Sequence, residues 1–485
     1  MSLPSPEGVP AEMESARLPY SLPPEAKSVQ VRVQPSNLSS VVSNTLTLTA
    51  SAAVDAAFPI QNIIFDLPCG QSPSQFLDSR QTTLNFRATY EIVSGGTSAL
   101  VGSTDGYLRS HAGAWFDRMY VVGQNGSIVE DINEFGVVQD TVINLQMSNS
   151  SRDGLGTAYG FSSSSSLGSQ GHSLPIFAAT RTLAAGNTET HSYSIPLVSG
   201  VLGVCADKFL NIGRTSKLQL VLQTTGTMPI SVTTGSATAA ATFKVTLSDF
   251  TLQCDYVDIG ARALAMLDQS LVDGKSYIHG LTYRTSTNTL PATSGAVSLL
   301  AGLRGSSVKS LFARFQDNAL TTAGSINGKY DSKMPMCSQI GFNIGGSRYP
   351  PIPVPALLQP ALCFRELQSA VGSFNSTEYS FASPTLAYCK LSAGGTAQGL
   401  ANTTQDYNWS LSSDPAAQAL FIFGTNTEVC ARRGVLSGLN CNAAPIFLEM
   451  TLAAAPTNSH NVFVIAQLDQ ILVHDVRTGD IQVRV

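Results

Sequence analysis

Charge is scarce in this chain. Of 485 residues, 28 are Lys or Arg and 33 are Asp or Glu, so charged side chains make up 13%, against roughly 25% in an average soluble domain. The net charge is only −5, which argues against a strongly basic surface for nucleic acid and predicts no direct sequence-specific contact with it. No run of 18 or more apolar residues occurs, which excludes a membrane-spanning helix. Residues 1–27 lack the basic segment and following apolar stretch of a secretory signal, so folding in the cytosol or nucleus of a host cell is expected. With 43% hydrophobic residues and little net charge, wholesale disorder is excluded.

Chemical signatures are also missing. The cysteines Cys69, Cys205, Cys254, Cys337, Cys363, Cys389, Cys430 and Cys441 form no C-x-x-C pair and are too dispersed for a compact disulfide framework, so they read as buried thiols. The histidines His111, His172, His191, His279, His460 and His474 show no metal-ligand spacing. Gly154, Gly156 and Gly160 depart from the glycine spacing of a dinucleotide loop. No catalytic, cofactor-binding or metal residue is assigned, no cofactor is expected, and the chain is not expected to be an enzyme. Sequons at Asn37, Asn125, Asn149, Asn375, Asn402 and Asn408 read as accidents of a Ser/Thr-rich composition.

What is present is β patterning. A single core stops growing near 250–300 residues, so a chain of this length predicts two cores. Residues 1–27 hold Pro4, Pro6, Pro10, Pro19, Pro23 and Pro24 and read as an extended arm. From Ser28 onward, alternating runs such as SVQVRV, TTLNFRATYEIV (82–93) and PIFLEMTLA (445–453) stand between Gly-, Ser- and Asn-rich breaks, the mark of an all-β sandwich or roll. Two segments read as helices. In 127–146 an apolar stripe runs from Ile128 to Leu145, with Ser127 and Glu130 as a capping box and Gly136 as a weak point. In 360–372, Pro360 opens the helix and Gly372 ends it. A short linker helix or ordered loop is expected at 261–274, and VRTGDIQVRV at the end is expected to add a strand to its own sheet or to a neighbour's.

An internal repeat accompanies this pattern. FKVTLSDFTLQCDYV from Phe243 aligns with FVIAQLDQILVHDVR from Phe463, matching Asp249 with Asp469 and Asp255 with Asp475, at a shift of 220. These matched aspartates read as strand-edge or loop-capping residues. IQNIIFDL from Ile60 aligns with VKSLFARF from Val308 at a shift of 248, which makes the first half longer, with the polar loop 148–173 as the expected location of the excess.

Two β halves, each with one helix, resemble the double jelly-roll major capsid proteins of double-stranded DNA viruses, and most nearly those of polinton-like viruses. The likeness rests on SIVEDINEFGVVQDTVINL (127–145), and on IGFNIGGSRYPPIPV (340–354) followed by CFRELQSAVGSF (363–374). It implies two tandem eight-stranded jelly rolls at 28–260 and 276–485, joined by a linker at 261–275 and preceded by the arm 1–27. It further implies homotrimeric, pseudo-hexameric capsomers tiling an icosahedral shell, location in the virion, and contacts with neighbouring capsomers, penton and minor capsid proteins, and an inner membrane.

Two other functions compete. A single jelly-roll coat protein of an RNA virus, with a protruding domain, would open on a basic arm; here Arg17 and Lys27 face Glu7, Glu12, Glu14 and Glu25, a net of −2. A carbohydrate-binding or adhesive sandwich would need secretion and an aromatic platform, and only Trp115 and Trp409 are available among the tryptophans.

Overall fold

The computed structural model describes residues 26–42, 46–48, 58–95, 105–108, 111–146, 154–161, 174–177, 188–206, 208–233, 241–318, 330, 332, 335, 337–356, 359–371, 390–391, 397–398, 421–428, 437–456 and 458–484. Nearly all of the arm and most of the loop at 148–173 lie outside this set.

The first half contributes eight principal strands: β1 (Lys27–Val33), β2 (Asn62–Asp66), β3 (Gln75–Gly95), β4 (Phe116–Val122), β5 (Ile128–Asn133), β6 (Thr188–Pro196), β7 (Gln219–Thr224) and β8 (Ala241–Asp258). They form two antiparallel sheets, in the orders β1-β8-β3-β6 and β2-β7-β4-β5. The second half contributes β9 (Lys275–Leu290), β10 (Gly295–Ala301), β11 (Val308–Asp317), β12 (Cys337–Ile344), β13 (Ser347–Val354), β14 (Ile422–Asn426), β15 (Ile446–Leu452) and β16 (His460–Asp475). Their orders are β9-β16-β11-β14 and β10-β15-β12-β13. Adding eight to each label of the first half gives the second. Helix α1 (Phe135–Gln146) follows β5, helix α2 (Gly260–Gln269) joins the halves, and helix α3 (Pro360–Val371) follows β13, the place equivalent to that of α1.

Period-two alternation explains the strands. On β3, Leu84, Phe86, Ala88 and Tyr90 are all at most 2% exposed and point into the first core. On β15, Ile446, Leu448, Met450 and Leu452 do the same for the second. Each such large apolar side chain contributes about 1.5–3 kcal/mol. β16 is buried on both faces. Val462, Val464, Ala466 and Leu468 fill the second core, while Phe463 and Ile465 join the first half's cluster together with Phe312 and Ile422. The sheet containing β16 is therefore covered on its outer face, and its sequence is correspondingly a nearly continuous apolar run.

The repeat is thus present, but one of its alignments is corrected. β8 and β16 hold equivalent places, as the shift of 220 requires. IQNIIFDL, however, forms β2, whose equivalent is β10, whereas VKSLFARF forms β11, whose equivalent is β3. Both are apolar strands of similar length, so hydrophobicity alone could not tell them apart. The extra length of the first half lies before β3, where residues 34–74 separate β1 from β3 but only 291–307 separate β9 from β11. It does not lie at 148–173, because the matching connection in the second half, 372–421, is the longer of the two.

The first helix is also shorter than expected. Ile128–Asn133 is strand β5, and Glu134 turns the chain at φ 54° into α1. Ser127 is no helix cap: its Oγ donates to the Gln124 carbonyl at 2.9 Å. Edge pairing of β5 with β4 wins over the helical stripe for these six residues. The expected helix at 360–372 is observed as α3. The C-terminal segment forms β17 (Asp480–Arg484), which pairs with Ile471–Asp475 of its own sheet. It occupies the place that β3 fills between Asp78 and Asn85 beside β8 in the first half.

Candidate functional site

The residues that stand out chemically lie where the two halves meet. Arg314 sits on β11 with a 1% exposed residue surface and points toward α1. Its Nη1 donates to Asp140 Oδ2 at 2.7 Å, Thr141 Oγ1 at 2.9 Å and the Val137 carbonyl at 3.3 Å. Its Nη2 donates to the Tyr330 carbonyl at 2.6 Å. Asp140 is fully buried and also lies 3.9 Å from Nδ1 of His111, which stacks on Phe161 at 4.8 Å. A buried guanidinium is tolerated only when charge and donors are matched in this way. Tyr330 then donates its hydroxyl to the Ala114 carbonyl of the first half at 3.1 Å. Gly136 makes that approach possible, since a Cβ there would lie 2.6 Å from the Tyr330 hydroxyl and 3.1 Å from two backbone carbonyls.

A second contact centres on Glu130 of β5. Its carboxylate accepts from Ser199 Oγ, from the Gly200 backbone N–H at 3.0 Å and from Thr282 Oγ1 of β9 at 2.8 Å. Burial pushes its pKa up, and these donors oppose the shift without cancelling it. A third contact lies nearer α2. Thr215 Oγ1 is 3.5 Å from His474 Nε2, Ser216 N–H donates to the Gly479 carbonyl at 3.1 Å, and Arg214 grips Asp268 of α2 with both guanidinium nitrogens, Nη2 to Oδ2 at 2.8 Å. Burial pushes the His474 pKa down, favouring the neutral ring.

The matched aspartates have diverged. Asp469 is buried, 2.9 Å from His279 Nε2 and 3.6 Å from Lys309 Nζ, and accepts from Ser307 Oγ at 2.6 Å. Burial alone would raise its pKa, but these partners hold it below the usual carboxylate value. Asp249 is exposed at a strand irregularity with φ 54° and pairs with Arg87 at 3.2 Å. Asp255 accepts from Gln30 of β1 at 3.2 Å, and Asp475 caps the final turn by accepting from the Arg477 N–H at 3.0 Å.

Among the described residues, no group of three or more His, Cys, Asp and Glu could hold a metal ion. Among the described residues Cys69, Cys205, Cys254, Cys337, Cys363 and Cys441 form no disulfide, and burial pushes Cys69 up to about 11 and Cys254 up to about 12. Cys389 and Cys430 lie outside the described residues. Gly154–Gly160 encloses a single helical turn, Leu155–Ala158, with Gly160 against Ala112. Arg314, Asp140 and Tyr330 were not singled out from sequence, and Glu130, read there as half of a helix capping box, instead lies on strand β5. The available signal was charge inside apolar patterns: Arg314 in LFARF, Asp140 in GVVQDTVI.

Two complete eight-stranded sandwiches of one topology leave no room for a single roll with a smaller protruding domain. In comparisons of structure, 95% of this chain matches 88% of a chain in the 3.5 Å cryo-EM structure of the Sputnik virophage, with TM-score 0.52 and 9% identity. The Faustovirus major capsid protein matches 92% of this chain over 90% of its own, with TM-score 0.51 and 10% identity. The fold is a double jelly roll. No protein-family model and no curated protein matches the sequence. Within the double jelly roll, the joint described above locks the first roll to the second, through α1 and β5 on one side and β9, β11 and β16 on the other.

Proposed function

We propose that this protein is the major capsid protein of a double-stranded DNA virus, located in the virion. The observation that carries this reading is the pairing of two jelly rolls of one topology within one chain across a buried joint, in a fold shared with the Faustovirus major capsid protein. Two fixed rolls make each chain a double unit. Three such chains around a threefold axis present six similar rolls, a block with near-hexagonal outline that can tile a shell. The activity is shape and self-association, with no chemical step and no cofactor. Low surface charge suits this role, since charges desolvated at large contact faces are costly.

The division of the chain belongs to the same proposal: rolls at 28–260 and 276–485, a linker at 261–275, and the arm at 1–27. The arm ties one block to the next, to penton or minor capsid proteins, or to an inner membrane. Electron microscopy of the concentrated protein tests the reading. Hexagonal sheets or closed shells are expected, and a protein that stays dispersed under every assembly condition counts against it. Deleting residues 1–27 is expected to lower particle yield and stability; undiminished yield and stability would remove the role given to the arm.

A further inference from the structure

Helix α2 joins the rolls, yet none of its ten residues is buried. By contrast α1 buries Val137, Val138 and Val142, and α3 buries Leu367 and Ala370. On α2, Leu264 and Leu267 are only partly covered and Met266 is 53% exposed; Val272, in the turn that follows, is 59% exposed. A helix this short draws its stability from packing rather than from itself, and this one has packed little of its surface. Asp268 is held by Arg214, whereas Arg262 is exposed and has no ion-pair partner among the described residues. One segment of the chain ends beside this helix. Lys27, where β1 begins, pairs with Asp258 of β8, two residues before α2 starts.

We propose that residues 18–25 of the same chain, the root of the arm, run back along α2 and cover it. In RLPYSLPPE (17–25), Leu18, Tyr20 and Leu22 fall on one face of an extended strand. Pro19, Pro23 and Pro24 favour that conformation in themselves and in the residues before them. From Leu18 to Leu22 an extended chain spans about 13 Å, and ten helical residues span about 15 Å, so the three apolar side chains match the length of the helix. Charge agrees with length. Glu25 stands two residues before Lys27, close to the start of α2, and supplies the opposite charge that Arg262 lacks. The contact lies within one chain and does not depend on the shell role; it leaves residues 1–17 to reach beyond it.

Hydrogen peroxide is the probe, with oxidation of Met266 followed by mass spectrometry. Oxidation is expected to be about 5-fold or more slower in the full chain than in a chain lacking residues 1–25, because methionine reactivity follows exposure. The shortened chain keeps all of β1. Protection is expected to persist on dilution, since arm and helix belong to one chain. In the full chain, Arg262→Glu is expected to remove much of the protection, and adding Glu25→Arg to restore it. Equal oxidation with and without the arm would overturn the proposal. Protection lost on dilution would overturn it by assigning the cover to another copy. An Arg262→Glu chain that stays protected, or a charge swap that restores nothing, would do the same for the pairing that fixes the arm's root.

Discussion

Arg314 of the second roll and Asp140 of the first form a fully buried ion pair at 2.7 Å, the only ion pair among the described residues in which both side chains are charged and at most 2% exposed. The pair sets how α1 lies against β11. Removing one partner strands the other charge in an apolar joint, which typically costs about 3–5 kcal/mol. Arg314→Met and Asp140→Leu are each expected to lower stability by about that amount in urea unfolding. The double variant is expected to recover most of the loss, since neither charge is then left alone.

Gly136 reports on the same approach by sterics. Gly136→Ala places a methyl group against the Tyr330 hydroxyl, and overpacking of this kind costs about 1–3 kcal/mol. This outweighs the roughly 1 kcal/mol that alanine adds to a helix. Tyr330→Phe in the same chain is expected to restore part of the loss by vacating the space. Thermal unfolding of the unaltered protein and the two variants checks the order.

Acid is expected to weaken the joint at His474. Burial holds the His474 pKa below the ordinary 6.5, so on acidification the unfolded chain takes up a proton before the folded chain does. The contribution of His474 is whole above about pH 6.5 and is lost as pH falls through that value toward the lower folded pKa. Asp469 titrates below 3.8 and does not act in this range. Glu130, whose pKa burial raises, works in the opposite sense, so the readout is the difference from His474→Gln: the unfolding free energy of the protein relative to that variant is expected to fall between pH 7.5 and 5.5, by at most about 1.4 kcal/mol per pH unit for one proton.

The fold was legible where local pattern and tertiary packing agree. Alternation at Leu84–Tyr90 and Ile446–Leu452 predicted buried strand faces, and Pro360 marked the start of α3. It misled where two periodicities overlap: Ile128 and Ile132 fit a helical stripe and also fit β5, and only pairing with β4 decides between them. Matching IQNIIFDL to VKSLFARF failed because strands of different sheets can be equally apolar. The joint was hidden for another reason. Arg314 lies 174 residues from Asp140 and Thr282 lies 152 from Glu130, and a charge inside an apolar run does not reveal its partner.

The central claim is that the two rolls of each chain act as one unit in a threefold block. The mass of the purified protein in solution, measured by light scattering across micromolar concentrations and paired with class-averaged electron micrographs, tests it most directly. The account predicts a species of three 51.1 kDa chains with a six-lobed, near-hexagonal outline. A stable monomer at every concentration would contradict it.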